Sequence, residues 1–118
     1  MALIVYGISN CDSMKKAFHW LNDNRIVYSF VDFTKEPPKE TQILSWLSSL
    51  GDSLVNKRGK SFHQLSDAVK ESFRGQTLIN AIITKPTLIK RPLLVNGMTM
   101  TVGFDPSRWT KTPNLLTN

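Results

Sequence analysis

The stretch "ALIVYGISNCDSMKKAFHWLNDNRIVYSFVDF", residues 2–33, changes its hydrophobic period twice. Residues 2–6 form a compact apolar run ended by Gly7, short enough for a buried strand. Met14, Ala17, Phe18 and Leu21 then fall at i, i+3, i+4 and i+7, which predicts a helix with one apolar face that ends near "NDN" (22–24). From 26 to 33 the pattern alternates, with Tyr28 and Phe30 opposite Val27, Ser29 and Val31, as in a second strand. A helical crossover of this length lets the two strands lie parallel. The loop Ser9, Asn10, Cys11 is then placed at the carboxyl end of the first strand, where open α/β sheets bind their ligands.

Downstream, "KEPPKE" marks a turn and a proline-assisted helix start, and Ile43, Leu44, Leu47 and Leu50 make an apolar stripe stopped by Gly51. Residues 52–76 are rich in Ser, Lys, Gly and Arg without a sustained period, so loops and short helical turns are expected there. Thr77 is placed to cap a helix carrying Leu78, Ile79, Ile82 and Ile83, which Pro86 terminates. "PLLVNGMTMTV" (92–102) carries the strongest hairpin signal, with Asn96-Gly97 as the two residues of a type I′ turn. "DPSRW" (105–109) begins a terminal helical turn, and the Thr/Asn-rich tail is expected to fray. The order βαβ, helical insertion, helix, ββ, helical turn describes an α/β fold with a mixed four-stranded sheet, in one domain spanning 1–118.

The chain has 118 residues, 41% of them hydrophobic and 20% charged, the composition of a globular protein. No segment approaches the roughly 18 unbroken apolar residues of a membrane span. "MALIVYG" lacks the basic region and cleavage site of a secretion signal, so a cytoplasmic location and no membrane partner are expected. The net charge of +6 attracts polyanions but equally suits a site for a small anion. The basic residues are scattered and no nucleic-acid motif or Cys/His zinc spacing is present, so neither specific nucleic-acid binding nor a metal is expected.

Cys11 is the single cysteine, so no disulfide closes within one chain, and any redox partner thiol must come from another molecule. Taken alone, such a residue is as well read as a small buried apolar group. Its setting in the polar string Ser9-Asn10-Cys11-Asp12-Ser13 points instead to a loop opening a helix. There the backbone N–H groups and the helix dipole favour the thiolate, the nucleophilic form, with Asn10 or Ser9 available as the N-cap and Lys15 one turn on. A phosphatase-type loop would need arginine six residues after the nucleophile, where Ala17 stands, and a dithiol site would need cysteine where Met14 stands.

"YGISNCDSMKKAFHWL", "LVNKRGKSF" and "KPTLIKRPLLVNGMTMTVGF", in that order, resemble the glutaredoxin-dependent arsenate reductase (ArsC) family with its Spx and YffB relatives, the YffB subgroup above all. The resemblance implies a thioredoxin-like fold in which Cys11 is the nucleophile, Arg58 and Arg91 converge on it, and Pro92 is a cis-proline opening the third strand; Asn10, next to Cys11 in the loop, is a candidate substrate-binding residue together with Arg58, Arg91 and Pro92. An X-Pro bond at the start of a strand is compatible with that, because cis costs little there and the missing N–H is harmless. For the YffB relatives it implies glutathione-dependent thiol reduction, with glutathione as co-substrate, glutaredoxin as a candidate partner and a monomer as the working unit.

Two departures bear on substrate. The arsenate reductases carry a histidine four residues before the nucleophile, where Gly7 stands, and an arginine after the last strand, where "VGFDPS" offers Phe104 and Asp105. Exchanging a cationic fork for an aromatic ring favours a larger, partly apolar thiol substrate over arsenate. The Spx regulators, which bind RNA polymerase, supply the alternative of an interaction protein, but their Cys-x-x-Cys pair is absent because of Met14. His19, two helical turns beyond Cys11, and His63, in the irregular middle, read as surface residues, and Trp20, Trp46 and Trp109 as packing.

Overall fold

A computed structural model describes residues 2–117. The chain runs β1 (Leu3–Gly7), α1 (Asp12–Asp23), β2 (Tyr28–Asp32), α2 (Glu40–Leu50), α3 (Lys60–His63), α4 (Asp67–Glu71), α5 (Gly75–Thr84), β3 (Leu93–Asn96), β4 (Thr99–Val102) and α6 (Pro106–Lys111), with 3-10 turns at Gly51–Leu54 and Pro86–Leu88. The four strands form one sheet in the order β2-β1-β3-β4. β1 pairs with β2 in parallel and with β3 antiparallel, and β3 pairs antiparallel with β4, so the expected mixed sheet is present.

Strand alternation sorts the core into two layers. Leu3 and Val5 of β1 and Leu94 of β3 face α1 and α6, where Met14, Ala17, Leu21 and Trp109 complete an apolar cluster. Tyr6 and Leu93 point the other way, onto Ile43 and Trp46 of α2 and Ile79 and Ile82 of α5. Tyr6 meets the Trp46 ring edge-on at 4.9 Å and stacks on Phe33 at 6.0 Å. At the β2 edge, Phe18 of α1 stacks on Tyr28 and meets Phe30 edge-on, the face on which alternation places those two aromatics.

Several expectations need correction. In α2, Trp46 takes the core position and Leu44 is 48% exposed, because one face of a helix cannot hold both of two adjacent residues, 43 and 44. α2 begins after both prolines, with the Lys39 N–H bonded to the Gln42 side chain at 2.9 Å. α5 starts at Gly75 with Arg74 as N-cap, ahead of Thr77, and Ile83 is exposed. The hairpin turn lies one residue later than read: Asn96 pairs with Thr99 inside the ladder, and only Gly97 has a positive φ, of 63°. A positive φ at the first central residue alone is the type II′ pattern. The freed Asn96 side chain, buried, donates to the Leu115 and Thr117 carbonyls at 2.9 and 2.6 Å. That clamp and the fully buried Leu115 tie down the tail that composition alone marks as fraying.

Gly7 closes β1 under the helix that follows. A Cβ there would lie 2.4 Å from Met14 Sδ and 2.7 Å from Met14 Cε, and Met14 is itself fully buried. Met14 thus occupies the space that any side chain at position 7 would need. Gly7→Ala is expected to destabilise by about 1–3 kcal/mol, the range for an overpacked core. In a denaturant-unfolding double-mutant cycle, Met14→Ala should make the Gly7→Ala change cheaper; additive effects would show that the two positions do not share this space.

Candidate active site

Cys11 is the N-cap of α1, with extended φ and ψ of −150° and 133°, and its carbonyl accepts the first helical bond from the Lys15 N–H at 2.9 Å. The expected cap, Asn10 or Ser9, lies outside the helix, since the polar string begins one residue earlier than the helical turn. An N-cap side chain faces the N–H groups of the second and third helical residues, here Ser13 and Met14. The sulfur is therefore presented to the open amides of a twelve-residue helix. Partial burial pushes the thiol up, but the Met14 amide, the Arg91 side chain, the Ser13 amide and the Arg91 charge together hold it below the ordinary cysteine value.

Arg91 lies two residues before β3, which starts at Leu93 just after Pro92 rather than on it, and the Arg91–Pro92 peptide bond is cis. One end of the guanidinium is anchored: Nη1 donates to the Thr87 carbonyl at 2.8 Å. Nε is buried and has no hydrogen-bond partner among the described residues. Pro92 is buried, and its carbonyl accepts from Gly103 N–H at 2.9 Å, tying the segment after β4 to the start of β3. Gly103 takes a φ of 88°, a turn that positions Phe104 next to it.

Around the sulfur lies a cavity of about 360 Å³ lined by Cys11, Ser13, Lys16, Asn56, Lys90, Arg91, Gly103 and Phe104. Three of these side chains are cations and none is acidic, so the cavity favours anions and thiolates. Of the residues singled out from sequence, Cys11, Arg91 and Phe104 share this cavity. Arg58 is exposed and not part of its lining, although its N–H bonds to Asn56 Oδ1 at 3.2 Å. Asn10 is exposed and Pro92 buried, and neither lines the cavity.

Asn56, Lys16 and Lys90 were not legible as site residues. Asn56 opens the "NKRGK" segment, and its neighbour Gly59 leaves room for the amide, since a Cβ there would lie 2.8 Å from Asn56 Nδ2. The base of the Cys11 loop is fastened to β2, where Phe33 N–H donates to the Gly7 carbonyl at 2.8 Å. Next to it the Thr34 hydroxyl and amide, opposed by burial and helped by Lys35 and Ser9, hold the Asp32 carboxyl below the usual carboxylate range. His19 and His63 are on the surface, as expected, with His19 3.8 Å from Asp23.

Residues 6–112 match the ArsC family, and the chain belongs to that family. The YFFB protein structure superposes with a TM-score of 0.90 at 30% identity, covering 98% of this chain and all of that one. The shared architecture is the thioredoxin-like fold of the ArsC proteins. An uncharacterized protein of Haemophilus influenzae is 33% identical over 91% of this chain and 95% of its own length. The regulatory protein MgsR of Bacillus subtilis is 28% identical over 92% of this chain and 88% of its own. Among the described residues no helix is long and apolar enough to cross a membrane.

Proposed function

We propose that the protein is a thiol–disulfide oxidoreductase working with one cysteine, with glutathione as co-substrate. The observation that carries this reading is the placement of Cys11 Sγ at the N-terminus of α1, with the Met14 and Ser13 amides and Arg91 favouring its thiolate inside a cationic cavity. Membership of the ArsC family supports it.

In the proposed reaction the Cys11 thiolate attacks the glutathione sulfur of a glutathione mixed disulfide, the departing thiolate takes the electron pair of the broken S–S bond, and a second glutathione thiolate then attacks the glutathione retained on Cys11. Oxidised glutathione leaves and Cys11 returns as a thiolate. Arg91 steadies the charge on the sulfur before attack and after release. Lys16, Lys90 and Asn56 line the cavity where the carboxylates and amides of the tripeptide would lie. Arg58 and Asn10, both exposed and outside the cavity lining, are proposed to meet the outer part of the substrate, and glutaredoxin is the candidate protein that resolves the intermediate in place of glutathione. The fully buried Met14 offers no resolving thiol, which requires the second sulfur to come from outside.

The regulator MgsR among the relatives supports a second reading, an interaction protein of the Spx kind that contacts RNA polymerase. Met14 weighs against a dithiol switch, so the enzymatic reading ranks first. Arsenate reduction ranks lower, because Phe104 lines the cavity and Met14 fills the space next to Gly7.

Challenge with oxidised glutathione followed by intact-protein mass spectrometry tests the proposal. One glutathione per chain on Cys11, formed readily at neutral pH, is expected. Absence of the adduct, or alkylation kinetics of an ordinary thiol titrating near about 8.5, would refute it.

A further inference from the structure

Phe104 lines a second cavity as well as the one around Cys11. A second cavity of about 470 Å³, lined by Lys15, Lys16, His19, Trp20, Asp23 and Phe104, lies along α1 and shares Lys16 and Phe104 with the first. Its floor is aromatic. Trp20 and the 38%-exposed Phe104 each meet the fully buried Trp109 edge-on, with ring centres 5.5 Å apart in both cases. Trp109 holds the two rings in place from beneath, so the groove presents a preformed apolar surface rather than two loose side chains.

Two cavities that meet at Lys16 and Phe104, one lined by three cations and the other with an aromatic floor rimmed by Lys15, His19 and Asp23, suit the geometry of exchange. Attack at a disulfide is in line: the nucleophile approaches along the S–S bond, so the half that stays on Cys11 and the half that departs occupy different places. Near the sulfur, Lys16, Lys90 and Arg91 select a half bearing carboxylates. Beyond Phe104, Trp20 and Phe104 select a flat apolar half.

Building on the single-cysteine reading above, we infer that the preferred substrate is a mixed disulfide joining a carboxylate-bearing thiol to an aromatic or similarly flat apolar thiol. The first half is retained on Cys11 and the second is released over Phe104 and Trp20. A new bond forms from Cys11 Sγ to the sulfur of the carboxylate-bearing half as the original S–S bond breaks. The electron pair leaves with the apolar thiolate, which takes a proton from water. A second carboxylate-bearing thiolate attacks the same retained sulfur, forming a symmetrical disulfide and restoring the Cys11 thiolate. One disulfide is consumed and one formed, and a single free carboxylate-bearing thiol is used for each apolar thiol released.

The test compares two disulfides of glutathione on the full chain, one with benzyl mercaptan and one with 2-mercaptoethanol, with glutathione as reductant. The expected kcat/KM favours the benzyl disulfide by about tenfold or more, the scale on which an apolar pocket discriminates by size. Phe104→Ala should bring this ratio towards unity, and Phe104→Trp should keep most of it. Because Phe104 also packs on Trp109, a second measurement leaves it untouched: Cys11→Ser should bind S-benzylglutathione about tenfold more tightly than S-methylglutathione by calorimetry. Equal turnover of the two disulfides with equal binding of the two conjugates would overturn this inference and leave the Cys11 chemistry standing. Exchange with neither disulfide would overturn the single-cysteine reading and this inference with it.

Discussion

Cys11→Ser is expected to lower thiol–disulfide exchange by roughly 10⁴-fold or more, the scale on which removal of a covalent nucleophile acts. The fold should survive, and at low pH it should gain. Cys11 is the N-cap of α1 and lies only half-buried at the margin of the α1 and α6 core, while serine is among the preferred N-cap residues. The Tm of Cys11→Ser should therefore equal or exceed that of the wild type below neutral pH. The wild-type thiol adds a pH-dependent contribution of its own. Its folded pKa is lowered, so the thiolate contributes stability that is fully present above the unfolded value of about 8.5 and is lost as pH falls through the folded value. The Tm advantage of the serine variant should shrink as pH rises from 6 towards 9. A gap that widens with pH would mean that the helix terminus and Arg91 do not stabilise the charged sulfur.

The same variant separates the two functional readings. An interaction protein that docks through a surface would keep its partner after Cys11→Ser, whereas an oxidoreductase loses its activity with the fold intact. The +6 charge supports either, and the chemistry at Cys11 supports only one.

How far the sequence reveals this molecule depends on the range over which each feature is encoded. The βαβ unit is local: periods of 2 and 3.6 within residues 2–33 define its strands, its helix and the loop holding Cys11. The faces of Tyr28 and Phe30 were readable for the same reason. Where a residue has two uses, local reading chose the commoner one. Asn96 before Gly97 reads as a turn pair, but a carbonyl partner in a tail nineteen residues away makes it a clamp. Leu44 reads as core until Trp46 takes the volume facing Tyr6. The site divides in the same way. Cys11 stands out because its neighbours are polar, whereas Asn56, Lys16 and Lys90 become site residues only when the loop at 56, the face of α1 and the approach to β3 meet in space. Arg58 shows the reverse case: it is near the site in sequence terms, two residues from Asn56, and yet its side chain is exposed.

Arg91 and Arg58 consequently carry different predictions. Arg91→Met removes a guanidinium that favours the thiolate and helps hold the Cys11 pKa below its ordinary value. Exchange at pH 7 should fall about tenfold, the factor that roughly 1.4 kcal/mol of lost thiolate stabilisation produces. The fall should appear chiefly as a displaced pH profile. With iodoacetamide, the inflection in alkylation rate should move up towards the ordinary cysteine value, and raising the pH should recover much of the lost rate. Arg91→Lys restores the charge without the planar fork or the anchoring bond to the Thr87 carbonyl, so its inflection should lie between the two. Arg58→Met removes an exposed charge outside the cavity lining and should leave the rate within about fivefold of wild type, the range of surface electrostatics. A purely structural Arg91 would lower stability and amplitude but leave the inflection where it stands in the wild type. That outcome would remove the guanidinium from the chemistry and leave the helix amides as the sole support of the reactive sulfur.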